Sequence, residues 1–463
     1  SQKRRFVMRI ENGERKVKTS LMDQQDTASS DRVAQNSARP EISKEQANLI
    51  ASAAAHADGR LYDVLAELRR DQPLGIARPD GFDPFWVVTR QADLRKITMN
   101  GNDFVTSINS AFMSIAARQQ MQKMLNSDSD EFPIKIMLYM DAPKHPKYRA
   151  VAAEAFHARN LDKLSDQIRT VAAQFVDHML TFDGECDFVK DVAYLYPLHV
   201  IMQLMGVPIE DEPLMLRLSK EFAGGADEDL IRPGKTPGQA AIGESMVEVA
   251  EEVGAYFSKM MADRRAHPRD DIVSLIANAQ IDGQPMPEPE SQGFCFALAT
   301  AGHDSTSGVT AGGMLALCQN PGLIDEIRGD PEKIKAFVEE AIRFYPPIKF
   351  GIRCAVSDVE IDGRHIRAGD MINLAFCSGD RDEAIFEDPD VFRIDRKPNK
   401  HISFVTGPHV CLGQHLARLE IRLFFEELTS RIESVELAGE PKSVANLLMS
   451  PHKSIPIRFK PRK

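Results

Sequence analysis

One string constrains this chain more than any other: Phe404-Val-Thr-Gly407-Pro-His409-Val-Cys411-Leu-Gly413, running straight into Gln414–Leu428. It sets a single thiol just ahead of a predicted helix, behind a tight reversal of the chain. Such a loop has to fold back, and the helix after it has to bury its apolar side with its N-terminus turned inward. Gly407 can take a positive φ for the reversal. Gly413 leaves the backbone beside the sulfur bare, so that a flat group can approach. The helix start favours a thiolate through its dipole and its free N–H groups. The spacing Phe-x-x-Gly-x-x-x-Cys-x-Gly arises by chance in a chain of this length about once in a thousand at average residue usage. A lone cysteine is ordinarily a small buried hydrophobe; the frame around Cys411 points instead to a metal ligand.

The rest of the chain is compatible with one large core. Of 463 residues, 43% are hydrophobic, and no Pro/Gly/Ser-rich linker divides them. The cysteines Cys186, Cys295, Cys318, Cys354, Cys377 and Cys411 form no CxxC pair. That argues against a zinc site or a disulfide framework and for a reducing, cytoplasmic setting. The net charge of −11 disfavours general nucleic-acid binding. Ser1–Leu21 is basic, with no apolar run long enough to anchor in a membrane. Residues 1–45 are expected to form a mobile tail before a single domain at 46–463.

Helical spacing dominates. It predicts helices over Lys44–Arg70 with a break at Asp58-Gly59, Leu161–Leu180, Val189–Met205, Gln239–Arg265, Ser291–Gln319 and Pro331–Phe344, the last stopped by Pro346-Pro347. Strands are expected at Phe85–Thr89, within Gly351–Leu374 around a hairpin turn at Asp362-Gly363, and near Ser434–Leu437 and Ile455–Phe459. The fold class is mainly α with minor β.

Two constellations accompany the cysteine. In the long helix, Ala301-Gly302-His303-Asp304-Ser305-Thr306 combines small residues with an acid beside an alcohol. Ala297, Ala301 and Ser305 share one face at four-residue spacing. Room for a flat ligand and a route for protons would follow, and a local widening of the helix is expected there. Later, Glu340-Ala-Ile-Arg343 sets opposite charges at i, i+3.

Together these strings resemble the cytochrome P450 family, with motifs in the expected order from about Phe85 onward. The resemblance implies a large triangular helical domain with small β-sheets, holding haem b on the Cys411 thiolate, with Phe404 and Gly413 against it and Ala301 on the opposite side. It implies propionate contacts from His145, Arg149, Arg353 and His409. Asp304 would relay protons and Ser305 would serve bound oxygen, with Thr306 able to share that role, since the family's usual Thr is Ser at 305. Glu340 and Arg343 would form a buried structural group with an arginine downstream, Arg396 being the best fit. Pocket walls would include Phe294, Ala297, Leu298, Ile348, Phe350 and Leu448, and Lys349 could meet a carboxylate.

The implied activity is a monooxygenase that inserts one atom of O2 into an unactivated C–H bond of a compact hydrophobic substrate. Val410-Cys-Leu-Gly-Gln-His-Leu-Ala-Arg418, Phe424-Phe-Glu-Glu-Leu428 and Ser434-Val-Glu-Leu437 resemble the terpineol-hydroxylase branch, which suggests a terpenoid or an alkylated aromatic. No flavin, nicotinamide or iron–sulfur motif is visible, so electrons are expected from separate proteins, and the resemblance implies a ferredoxin and its reductase. Lys144, Lys147, Arg418 and Arg422 are the candidate docking cations. A monomer is expected. A peroxide-driven or non-oxygenating haem-thiolate enzyme, and a non-catalytic haem sensor, stand as alternatives.

Overall fold

The computed structural model describes residues 5–11, 14–20, 40–108, 112–127, 134–224 and 226–463. Helix Glu288–Gln319 runs through the largest apolar cluster. At 1.5 Å per residue it is about 48 Å long. A helix this central must be approached by neighbours on many sides, and its small residues permit that. A Cβ on Gly302 would stand 2.8 Å from Ile201, one on Gly312 2.5 Å from Tyr345, and one on Gly313 2.7 Å from the Phe425 ring. Gly302 therefore serves contact with helix Leu195–Met205, not room for a ligand. The helix keeps α-helical form throughout, so the expected widening is absent; the π turn among the described residues is Val189–Ala193.

Helix Pro331–Phe344 begins where it should. Asp330 caps it by accepting from the backbone N–H groups of Glu332 and Lys333, and Pro331 fills the first position, where no N–H is missed. It buries Ile334, Phe337, Val338, Ala341 and Ile342 and ends just before Pro346-Pro347. The C-terminal helix Gln414–Arg431 packs on both of these helices, with Phe424 and Phe425 fully buried.

Two sheets flank the helices. One has the order Leu74–Ala77, Phe85–Val88, Met371–Ala375, Phe350–Ala355, Phe104–Val105; only the Phe85–Val88 and Met371–Ala375 pair is parallel. The other joins Ile432–Leu437 to Pro456–Pro461 and Glu185–Asp187. The mainly helical class with minor sheet is thus observed, and Asp362-Gly363 turns the hairpin Val359–Ile361/Arg364–Ile366.

The tail differs from expectation. Arg5–Glu11 and Glu14–Ser20 pair as antiparallel strands. Residues 1–4, 12–13 and 21–39 of the expected tail lie outside the described residues. Within the expected tail, the Pro40 carbonyl accepts from Ile76 N at 2.8 Å and Ile42 N donates back to the Ile76 carbonyl at 3.0 Å. Edge pairing with a strand some 35 residues later is invisible to local spacing.

Filling one of the close approaches should be felt. Gly312→Ala is expected to lower unfolding free energy by about 1–3 kcal/mol, because its methyl meets the Tyr345 side chain. Urea unfolding followed by circular dichroism measures this, and an unchanged midpoint would refute it.

Candidate functional site

The cysteine loop is held by a buried polar network. Arg343 donates to both oxygens of Glu340, at 2.8 and 2.7 Å, and Arg396 Nε adds a bond at 3.0 Å. Asn399 and the Arg393 backbone N–H complete the set around the same carboxylate. Both Glu340 and Arg343 are fully buried. Arg343 also donates to the Asp380 carbonyl, and the Asp380 carboxylate accepts from Ile402 N at 2.6 Å and Ser403 Oγ at 2.6 Å. Asp380 and Ser403 were missed in the sequence. The only signal was the charged string Asp380-Arg381-Asp382, which resembles any surface turn.

From Ser403 the chain reverses through Val405 at φ 62° and Gly407 at φ 75°. A Cβ on Gly407 would stand 2.4 Å from the Thr98 carbonyl oxygen. A β-branched residue at positive φ costs about 1–3 kcal/mol, so the surrounding network has to impose it. The Cys411 N–H then donates to the Phe404 carbonyl at 2.9 Å, which sets the thiol at the start of the helix. Burial pushes the Cys411 thiol up; the N–H groups of Gly413 and Gln414 and the charges of Arg149 and Arg418 pull against that. A Cβ on Gly413 would meet nothing within 4 Å, so the backbone beside the sulfur faces open space.

Four donors gather nearby, with the Asp141 carboxylate beside them. The His145 and His409 rings lie 4.1 Å apart. Burial, with the charges of His409 and Arg149, lowers the His145 imidazole to about 4, so it stands neutral at neutral pH. Arg353 is 6% exposed, and its guanidinium donates to the Ile352 carbonyl at 2.7 Å; burial lowers it to about 10, against the pull of the Asp141 charge. Arg149 is half-buried and has no hydrogen bond or ion pair among the described residues. Asp141, absent from the expected set, sits beside His409 at 3.9 Å and accepts from Thr106 N and Ser107 N. Burial alone would raise this carboxyl, but the bonds from His409, Ser107 and Thr106 outweigh it and hold it well below the usual range.

Two arginines and two histidines around a single carboxylate, Asp141, fit a ligand that brings further anions. No group of three or more His, Cys, Asp or Glu able to hold a metal exists among the described residues. A metal on Cys411 must therefore bring its other ligands with it. A macrocycle carrying two carboxylates satisfies the thiol, the bare Gly413 backbone and the cations together.

The long helix supplies the other wall. From Thr306 to Leu317 every residue is buried, whereas Ala297 and Leu298 are half-buried and Ala301 is exposed in mid-helix. The opening is thus confined to the stretch before Thr306, and its most exposed residue, Ala301, lies on the face predicted to carry Ala297, Ala301 and Ser305. Ser305 Oγ donates to the Ala301 carbonyl at 2.9 Å. Thr306 does not share this position. It is 3% exposed and bonds to the Gly302 carbonyl at 3.3 Å, because the next helical residue turns to another face. Asp304 is engaged away from Ser305, by Ser219 Oγ and by His303 Nε2 at 3.0 Å.

Other expected residues are placed differently. Phe294 and Phe350 are core, at 2% and 0% exposure; Phe350 packs against His56 and Phe112. Ile348 and Leu448 keep open surface. Lys349 is buried with its amine on the His56 carbonyl at 2.7 Å, so it meets no carboxylate. The docking cations are already paired: Lys144 with Glu290, Lys147 with Asp282, and Arg418 with Glu339, while Arg422 lies 3.9 Å from Glu426.

Comparison with known proteins agrees with this geometry. A family model described as Cytochrome P450 matches residues 87–457. Cytochrome P450-terp from Pseudomonas sp is 38% identical over 428 residues, covering 91% of this chain and 99% of the relative. The steroid C26-monooxygenase of Mycolicibacterium smegmatis is 30% identical over 82% of this chain and 86% of its own. The crystal structure of CYP108D1 from Novosphingobium aromaticivorans superposes with a TM-score of 0.84 at 35% identity, covering 91% of this chain and all of that one.

Arg353→Met separates the two roles of a buried cation. Without haem the variant should be more stable by about 1–3 kcal/mol, since an unpaired charge is removed. Its haem affinity should fall by roughly tenfold or more, since a propionate partner is lost. Unfolding of the haem-free protein and haem titration read the two signs, and equal signs would overturn the assignment.

Proposed function

The chain belongs to the cytochrome P450 family, and on that footing we propose that it inserts one oxygen atom of O2 into an unactivated C–H bond of a compact hydrophobic molecule, a terpenoid or an alkylated aromatic. Its class, a P450-type monooxygenase and oxidoreductase, follows from the family. The balance is one substrate, one O2, two electrons and two protons giving one alcohol and one water. The electrons come from a separate ferredoxin and ferredoxin reductase. The observation that carries the reading is a loop thiol beside Arg149, Arg353, His145 and His409, opposite a helix stretch exposed at Ala301.

Cys411 would hold haem b, which would supply redox-active iron, and electron donation from the thiolate would favour O–O cleavage. The protein's own groups do the rest. The N–H groups of Gly413 and Gln414 hold negative charge on the sulfur. Arg149 and Arg353, with the donors His145 and His409, receive the propionates. Ser305 Oγ, which donates to the Ala301 carbonyl, is the hydroxyl that would hold and deliver a proton at this face of the helix. Asp304, held by Ser219, resupplies the hydroxyl by turning from that contact. Apolar surface at Ala297, Leu298, Ile348 and Leu448 receives the substrate and excludes water. The 38% identity to Cytochrome P450-terp supports the terpenoid choice.

The reduced, carbonyl-bound protein should show the red-shifted band of a thiolate-ligated haem, and Cys411→Ser should lose it. A wild type without the band sinks the reading. Ser305→Ala should release several-fold more hydrogen peroxide per electron consumed, with substrate affinity unchanged. Unchanged coupling would remove Ser305 from proton delivery.

A further inference from the structure

A buried carboxylate far from the thiol has no part in the chemistry above. Asp227 follows helix Glu212–Ala223 and is 2% exposed. Its two oxygens accept four bonds: from Asp229 N at 3.0 Å, from Ala445 N at 2.8 Å, and from Lys453 Nζ at 2.7 and 3.0 Å. Lys453 also reaches Asp229 at 2.7 Å. These bonds join the segment from Asp227 onward to the hairpin in which Lys442–Ser443 pairs with His452–Ser454, more than 200 residues later.

The two partners of this junction are each fixed elsewhere. On one side, Arg232 pairs with Glu221, Glu248 and Glu252, and Lys235 pairs with Glu244 and Glu248. Those acids lie on Glu212–Ala223 and Gln239–Ala266, so both helices and their connection move as one body. That body packs against the long helix beside its open face: Ser219 meets Asp304, and the Phe222 ring stands 5.0 Å from the buried Phe296. On the other side, the hairpin tip is bonded to the strand before Phe350, with Lys349 N on the Leu448 carbonyl at 2.9 Å and Ser450 N on the Pro347 carbonyl at 3.3 Å. The tip carries Leu448, one of the apolar surfaces of the pocket.

We propose that Asp227 is a positioning residue for substrate, the latch by which the two-helix cover is clamped to the hairpin wall of the pocket. It touches neither substrate nor haem. It sets how often the cover parts from the wall, and therefore how fast a bulky apolar ligand exchanges. A desolvated carboxylate with all bonds filled suits this role: closed, it is satisfied, and open, it meets water, so only intermediate positions are unfavourable. The inference uses the monooxygenase reading only in taking Leu448 as pocket wall.

Stopped-flow mixing of the haem-loaded protein with phenylimidazole, an apolar iron ligand, tests the latch, with cyanide as a control small enough to pass a closed cover. Asp227→Asn and Lys453→Met should release phenylimidazole about tenfold faster. Lys453→Arg should behave as wild type, and cyanide should bind alike in all four proteins. Equal phenylimidazole rates in folded Lys453→Met and wild type would overturn the latch, as would cyanide rates that rise in step. Should Asp227→Asn not fold, the two Lys453 variants decide alone. The carbonyl-bound spectrum of wild type tests the haem reading separately, so the two failures cannot be confused.

Discussion

Glu340 accepts hydrogen bonds from Arg343, Arg396, Asn399 and the Arg393 backbone in a place without solvent. Ion pairs so buried add little net stability, yet losing one member costs about 3–5 kcal/mol. Their effect is to admit one arrangement. Through Arg343 the group holds the Asp380 carbonyl, and through the Asp380 carboxylate it holds Ile402 and Ser403. Val405 takes its unfavourable φ only because the chain on either side is tied down. The thiol's position is thus the end of a chain of satisfied bonds that starts more than 60 residues earlier.

The two walls of the site follow opposite physical rules. The thiol wall is over-determined, with the buried Glu340 and Asp380 carboxylates saturated by donors. Its surface cations are already partnered, as Arg418 is by Glu339 and by the Phe404 ring at 4.5 Å. Docking of a partner on that side must therefore exchange ion pairs instead of finding free charges. The helix wall is under-filled. Its opening spans the Ala297, Ala301 and Ser305 face and closes at Thr306, where the close-packed part of the helix begins.

The cover beside that opening is built mostly of charge. Arg217, Arg232 and Lys235 meet four glutamates across two helices and their connection. Such a network on partly exposed side chains is individually weak and salt-sensitive. Collectively it keeps two helices moving together. Its junction with the hairpin is different in kind, because Asp227 is desolvated.

Much of this was legible in residue order. The helix over Pro331–Phe344 ends at its proline break, the Glu340–Arg343 spacing gives a buried pair, Arg396 joins it, and Ala297, Ala301 and Ser305 share one open face. Each of these rests on neighbours in the chain or on helical period. What residue order could not decide depends on segments brought together from far apart. Thr306 is turned inward, Phe350 is core, Lys349 points to His56, Gly302 serves Ile201, and Pro40 pairs with Ile76. Asp141, Asp380 and Asp227 look like ordinary surface acids until packing removes their water. The sequence by itself determined that one thiol would stand at a helix start beside an acid–alcohol helix, because those features are local. Tertiary structure alone decided which faces stay open and which charges lose solvent, because burial is a property of packing and not of order along the chain.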